Sequence, residues 1–401
     1  MLISKIKNAG AGLLAAVLLG ASGTANADWG MNLPKGATVI SHDVYDLHMM
    51  VIWICVVIGI GVFGAIFISV LMHRKSKGAV AAQFHESTTV EIIWTIVPFV
   101  ILVGMAIPAS KVLIAESDTA NSDLTVKVTG YQWKWHYDYP SEGISFFSTL
   151  STPTDEIYND APKDKHYLRE VDHPLVLPIH KKIRFLITAN DVIHAWWVPA
   201  FAIQADAIPG YEHVVWTEIE KPGIYRGQCA MICGRGHAFM PIVVVAKTDA
   251  DFKKWVAEQK AGTATAAVAE TAAVAKTWTK DELVAKGKQV YDANCAACHQ
   301  PTGSGVPGTF PPIAAGKPFS ASAAMMQHLT ERGFLKDGKI VMGPVKHHIE
   351  TVLKGIPGTA MPAWGPQLSD VDIASVITYE RNAFGNHTGD VVQPSEVKAA
   401  R

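Results

Sequence analysis

Cys229-Ala-Met-Ile-Cys233-Gly-Arg-Gly-His237-Ala-Phe-Met240 runs without a break into Pro241-Ile-Val-Val-Val-Ala246. The first part gathers two thiols, an imidazole and a thioether. The second is dominated by β-branched residues and reads as a strand. Ligand softness decides the metal that such a set prefers: thiolate, imidazole and thioether together select copper, whereas zinc has little use for a methionine. A mononuclear blue site needs a single cysteine. Two thiolates four positions apart can instead bridge a pair of copper ions, spread one unpaired electron over both and keep the geometry almost unchanged on oxidation. A further imidazole is needed, and Asp191-Val-Ile-His194-Ala-Trp-Trp supplies one on an earlier loop. Alone, His194 reads as a surface histidine; only the downstream cluster makes it a ligand candidate. The competing reading of Cys229 and Cys233 is a disulfide, reasonable in an oxidising compartment.

Working outward, Leu124 to Thr129, Ile183 to Thr188 and Val214 to Ile219 are also short, β-branched and separated by Gly, Pro and Asp. They predict an antiparallel barrel or sandwich over 121–250. Residues 138–172 hold eight acids against three bases. Such runs are usually solvated loops, and a docking patch for a basic partner is the alternative.

Cys295-Ala-Ala-Cys298-His299 is a second chemical centre. Two cysteines at this spacing reach the two vinyl groups of one porphyrin, and the adjacent histidine supplies an axial nitrogen, which is the attachment signature of haem c. The sixth ligand is expected from Met361, on the rigid Ala360-Met361-Pro362-Ala363-Trp364 loop, with Met342 as its competitor. Phe310-Pro-Pro-Ile313 is expected beside His299, with a proline carbonyl fixing the imidazole. Thr279-Lys-Asp-Glu282 predicts a capped helix leading into Cys295. Further helices over 349–354 and 372–384 end at Gly355 and Gly385. Residues 278–386 therefore read as a small all-α domain. Residues 251–277 read as a short helix followed by an Ala-rich interdomain linker that is at most partly helical, and 387–401 as a tail, frayed at its end.

Towards the N-terminus, Leu47 to Met72 carries no Asp, Glu, Lys or Arg, and neither does Ile92 to Ser110, which holds Pro98 and Pro108. Both are long enough to cross a bilayer. Arg74, Lys75 and Lys77 lie between them, so the connecting loop is expected in the cytoplasm and both outer flanks on the other side. The reading over 28–120 is a transmembrane hairpin with helices at about 47–72 and 91–113. Lys5 and Lys7, an apolar stretch from Ala9 to Ala21 and Ala25-Asn26-Ala27 have the layout of a signal peptide over 1–27. The chain has 401 residues, 49% hydrophobic and 18% charged, with a formal net charge of −1. That is apolar for a soluble protein and excludes the basic footprint of nucleic-acid binding. Five cysteines are too few for a disulfide scaffold, and Cys55 sits within an apolar run as a small hydrophobe.

Taken together, the two-helix anchor, Tyr131-Gln-Trp133-Lys-Trp135, Asp206-Ala-Ile-Pro-Gly210 and the copper motif resemble subunit II of the haem-copper cytochrome c oxidases. The added haem domain resembles the caa type, in which subunit II carries a fused cytochrome c. The resemblance implies a multidomain chain: a two-helix transmembrane hairpin, an all-β cupredoxin-like barrel and a class I cytochrome c domain. It implies that His194, Cys229, Cys233, His237 and Met240 bind the dinuclear copper, with the backbone carbonyl of position 231. That position is Met231 here, where the family usually has Glu; a carbonyl ligand survives the change, but a magnesium ion shared with subunit I loses a carboxylate. Tyr211 likewise stands where the family often has Arg, which touches the propionates of a neighbouring haem. Trp133 matches the aromatic through which electrons enter the copper centre, its bland reading being strand packing. Glu91 matches a carboxylate at a proton-uptake entrance, its bland reading being an interfacial acid.

The implied path runs from an external donor, a cytochrome c or another reductant, through haem and copper to a haem in subunit I. Subunit III is a further implied partner, and the implied location is the bacterial inner membrane with copper and haem domains on the periplasmic side. Oxygen reduction must reside in subunit I, since the membrane segments here offer only His48 near one end. The rivals are a membrane-anchored copper-delivery or thiol-redox assembly factor, which needs neither Met240 nor a haem domain, a quinol oxidase subunit II, which lacks the copper ligands, and a plain membrane-tethered cytochrome c.

Overall fold

The computed structural model describes residues 32–80, 83, 85–357 and 359–401, so the expected signal peptide lies outside the described residues. The described chain divides into two units: 32–36 with Ser41–Ala109, and Ala37–Ile40 with Ser110–Arg401. Helices α1 (Val39–Met72) and α2 (Thr88–Ser117) are both long and apolar enough to cross a membrane. The side chains of their apolar runs, among them Phe63, Phe67, Trp94 and Leu102, face outward unburied. Apolar surface on that scale is costly in water and neutral in lipid. Both helices begin earlier than the apolar runs, because the first turns of α1 carry His42, Asp43 and Asp46 and a helical backbone does not require apolar side chains. Pro98 and Pro108 sit within α2 without ending it.

Two five-stranded sheets follow, a cupredoxin-like sandwich. Strands β1 (Leu124–Tyr131), β2 (Lys134–Tyr139), β3 (Ile144–Ser148), β4 (Leu175–Pro178) and β5 (Lys182–Ala189) are followed by β6 (His194–Val198), β7 (Ile203–Ala207), β8 (His213–Glu218), β9 (Gly223–Cys229) and β10 (Pro241–Lys247). One sheet has the order β3-β2-β1-β5-β8 and the other β4-β10-β9-β6-β7. Not every pair is antiparallel as the sequence suggested: β1 pairs in parallel with β5, and β4 with β10. Strict alternation of buried and half-buried residues along β1 and β5 fixes their register, since a one-residue slip would turn Val126, Val128, Phe185 and Ile187 out of the core. Trp135, Trp196 and Phe185 fill the space between the sheets beneath the loop that joins β9 to β10.

Helix α3 (Asp249–Ala275) is unbroken, where the sequence suggested a short helix and a linker. The alanines that mark the stretch as low-complexity are also the best helix formers. Phe252 and Val256 anchor its first turns in the β core, while Glu270 near its other end accepts from the Asp370 backbone N–H (3.0 Å). Beyond it come α4 (Lys280–Asn294), α5 (Ala323–Glu331), α6 (Val345–Lys354), α7 (Asp370–Asn382) and α8 (Pro394–Ala400). The Thr279/Glu282 capping box opens α4, and a Ser369/Asp372 box opens α7. Helices α4 and α7 cross at Gly287, where a Cβ would fall 2.0 Å from the Ser375 carbonyl oxygen, so only glycine permits this approach. That crossing sets the turn Ala296–His299 at the end of α4. The last residues are helical: Val397 of α8 is fully buried, and Arg401 binds the Asp370 carboxylate and the Gly365 and Leu368 carbonyls.

Candidate metal centre

The loop between β9 and β10 places its two sulfurs side by side. Cys229 Sγ and Cys233 Sγ are 3.8 Å apart, close to twice the length of a disulfide bond at about 2.05 Å, and both cysteines are free. Around Cys233 Sγ lie His237 Nδ1 and Met240 Sδ, each at 3.6 Å. The Met231 carbonyl oxygen lies 3.3 Å from Cys229 Sγ. From the start of β6, His194 completes the group: a ligand atom from each of His194, Cys229 and Cys233 lies within 4.8 Å of the others. All the residues proposed from spacing for this cluster therefore converge, although they come from separate loops.

The imidazole is held in a fixed orientation. His194 Nε2 donates to Asp191 Oδ1 (2.9 Å), leaving Nδ1 as the acceptor nitrogen, buried and without a hydrogen-bond partner. A buried lone pair of this kind, facing two sulfurs, is where a soft cation fits. The second oxygen of Asp191 accepts from the Gln132 backbone N–H (2.7 Å), tying the His194 loop to the end of β1. Burial opposes charging His194, but the Asp191 hydrogen bond and the neighbouring Cys229 outweigh it and raise its pKa. The Cys233 thiol donates to Cys229 and holds that sulfur well below the usual thiol range; the same contact pushes Cys233 up. The contact thus favours the thiolate form of Cys229, the form that a metal site built on thiolates requires.

Trp133 lies directly against this loop. Its indole Nε1 donates to the Cys233 carbonyl (3.1 Å), and a Cβ at Gly236 would fall 2.3 Å from the ring. Trp135, wholly buried, donates to the Met240 carbonyl (3.2 Å) and meets the His194 ring edge-on at 6.0 Å. Glu91 is in the first turn of α2, in the unit that does not contain this cluster.

The cytochrome-like region encloses an apolar cavity lined by Cys295, Cys298, His299 and Met361, with Met342 also on its wall. His299 Nδ1 donates to the Pro311 carbonyl (2.9 Å), so Nε2 is the nitrogen left for a metal. Burial raises the pKa of both Cys295 and Cys298, keeping them neutral thiols. Neutral sulfurs beside an apolar cavity suit thioether attachment of a flat hydrophobic ring, and the donors on either side are those that haem iron takes.

The chain resembles known proteins in each of its regions. Residues 124–247 match the model of the cytochrome c oxidase subunit II periplasmic domain, and residues 26–112 match that of its transmembrane domain. The chain is 35% identical over 231 residues to a probable cytochrome c oxidase subunit 2 of Rickettsia bellii, covering 58% of this chain and 84% of that one. The chain belongs to the cytochrome c oxidase subunit 2 family. It is also 35% identical over 247 residues to the cytochrome c oxidase subunit 2 of Cereibacter sphaeroides, covering 58% of this chain and 82% of the relative. A solved periplasmic domain of subunit II from Bradyrhizobium japonicum is 38% identical, covering 36% of this chain and 98% of that one, with a TM-score of 0.33. Residues 282–379 match the model described as cytochrome c oxidase, cbb3-type, subunit III. The chain is thus a membrane-anchored electron-transfer subunit of an oxidoreductase, a subunit II with a periplasmic domain and a fused cytochrome c domain, partner to subunit I and built for copper and haem c.

Sequence reasoning missed three groups. Asp191 stands three positions before His194, a spacing that could have flagged it as the orienting carboxylate. His348 and Glu380 form a buried pair (2.9 Å) on the haem-cavity wall, with no local motif to announce them. Lys134, between two tryptophans of the quoted motif, is 7% exposed, and nothing in its neighbourhood in the sequence predicts that.

Proposed function

We propose that His194, Cys229, Cys233, His237 and Met240, with the Met231 carbonyl, hold two copper ions, and that Cys295, Cys298, His299 and Met361 hold one haem c. When bound, these groups supply reversible one-electron chemistry at nearly constant geometry. The residues of the chain do the rest: Asp191 fixes the His194 ring, the Pro311 carbonyl fixes His299, and Trp135 and Trp196 exclude water from beneath the copper loop. The reading extends to an oxidase in the bacterial inner membrane that takes electrons from an external donor and includes subunit III. Trp133 is the entry residue for electrons, supported by its hydrogen bond to the Cys233 carbonyl. Glu91 is the carboxylate at a proton-uptake entrance, supported by its position at one end of an apolar helix. Met231, 37% exposed, brings no carboxylate to a magnesium ion shared with subunit I, so that ion is not part of this proposal.

The observation that carries the reading is the convergence of Met231 O, His237 Nδ1 and Met240 Sδ on the two cysteine sulfurs. A thiol-redox or copper-delivery factor is disfavoured, because a buried thioether and a fused cytochrome domain serve neither activity. The test is purification from membranes in detergent, with copper and iron counting and an optical spectrum. Two coppers per covalent haem c, and a co-purifying haem of another type, are expected. A Cys229–Cys233 disulfide without copper would overturn the copper assignment, and absence of a second haem type would overturn the oxidase assignment.

A further inference from the structure

On the wall of the cavity lined by Cys295, His299 and Met361, helices α6 and α7 each contribute an ionisable side chain. His348 of α6 donates through Nε2 to the Glu380 carboxylate of α7 at 2.9 Å, and the two residues are 8% and 4% exposed. The other ring nitrogen, Nδ1, is buried and has no hydrogen-bond partner. The neighbouring Arg381 is engaged elsewhere, its guanidinium binding the Asp390 carboxylate (2.7 Å) and the Gly343 carbonyl (2.9 Å). The pair is thus nearly out of solvent, where charges are weakly screened. Its field reaches the cavity. Burial is the largest cause that raises the pKa of Cys295, and the Glu380 charge is the next; the same two causes, in the same order, raise that of Tyr291.

We propose that the Glu380 carboxylate, held in place by His348, lowers the midpoint potential of the haem c that this cavity takes. The proposal rests on the haem reading given above and adds to it the group that tunes the iron. A negative charge that makes it harder to place another on the Cys295 sulfur also makes it harder to place an electron on a ring bonded to that sulfur. The apolar wall and the Met361 thioether push the other way. The first disfavours the extra positive charge of the ferric state, and the second favours the ferrous one. Glu380 is the group on this wall that opposes them. Burying a carboxylate is costly, and the single His348 hydrogen bond offsets that cost only in part, so the pair is a poor stabiliser of the fold and an effective source of field. By lowering the potential, Glu380 makes transfer of an electron from the haem iron towards the copper pair more favourable.

Equilibrium redox titration of the detergent-solubilised complex, read at the absorption band of haem c, tests this. Glu380→Gln keeps the size of the side chain and removes its charge. At the ambient potential where the native haem c is half reduced, this variant is expected to lie about tenfold further towards the ferrous state, which is about 59 mV for one electron. Glu380→Ala is expected to shift the same way, so loss of haem in one variant leaves the other to decide. Glu380→Asp retains the charge and is expected to recover most of the shift, a response that a purely structural role would not give. A midpoint unchanged in both uncharged variants overturns the proposal, and so does a shift in the opposite direction. A shift in Glu380→Asp as large as that in Glu380→Gln overturns it too, since shape and not charge would then set the potential. Failure of the haem reading shows separately, as a native complex whose spectrum holds no covalent haem c, and the inference then falls with it.

Discussion

The two cysteine pairs of this chain have nearly the same local spacing and opposite chemistry. Cys229 and Cys233 sit in a nest of polar donors, where one thiol hydrogen-bonds to the other and favours the thiolate form of Cys229. Cys295 and Cys298 face an apolar cavity, where burial holds both protonated. The first environment suits a thiolate ligand and the second suits a sulfur that forms a carbon–sulfur bond. Environment, and not the cysteines themselves, sets what each pair does.

The strongest way to break this contrast is Cys229→Ser. It is expected to abolish bound copper while the covalent haem c spectrum persists; retention of copper by metal analysis would show that the sulfur is not a ligand. Next is Asp191→Asn, which leaves the His194 ring without its carboxylate. Loss of such an orienting partner typically weakens metal binding by about 10–100-fold, here read by competition with a copper chelator. A third comparison uses the metal-free and haem-free chain with iodoacetamide. A lowered pKa keeps the reactive thiolate present as pH falls, and a raised one withholds it as pH climbs. Cys229 is therefore expected to alkylate at pH 6, where Cys295 and Cys298 do not, and equal rates would erase the distinction. The mildest change is Thr279→Ala, which removes the N-cap of α4 at a cost of about 1 kcal/mol. The haem-side melting transition should fall by a few degrees, with copper content unchanged.

The haem attachment motif was legible because its chemistry is confined to consecutive residues. The convergence of Cys229, Cys233, His237 and Met240 was legible from their soft donors, and His194 became visible only through them. Asp191 was not, since an aspartate in a loop is ordinary until its partners are known. The ammonium of the buried Lys134 lies 4.8 Å from the centre of the Trp364 ring, far along the chain, and no local pattern reports such a contact. The all-antiparallel expectation for the sandwich failed at β1–β5 and β4–β10 because alternation marks a strand and its buried face but not the direction of its neighbour. The Ala-rich stretch misled for a different reason: composition distinguishes a linker from a helix poorly when the anchors lie beyond both ends. The terminal residues read as a tail, yet Val397 and Arg401 find partners on a surface that exists only once α7 has packed.

Helix α3 has 27 residues and so spans about 40 Å at 1.5 Å per residue. A rod of that kind transmits rotation as well as distance. Adding a single residue would advance its far end by roughly 100°, swinging the Cys-x-x-Cys turn away from Arg235, whose guanidinium donates to the Ala297 carbonyl at 2.8 Å; adding seven would restore the angle to within about 20° but carry the far end about 10 Å further away. The register of an apparently featureless alanine run would then govern which side of the cytochrome meets the copper loop. Both kinds of insertion should therefore break the Arg235–Ala297 contact, the first by rotation and the second by distance.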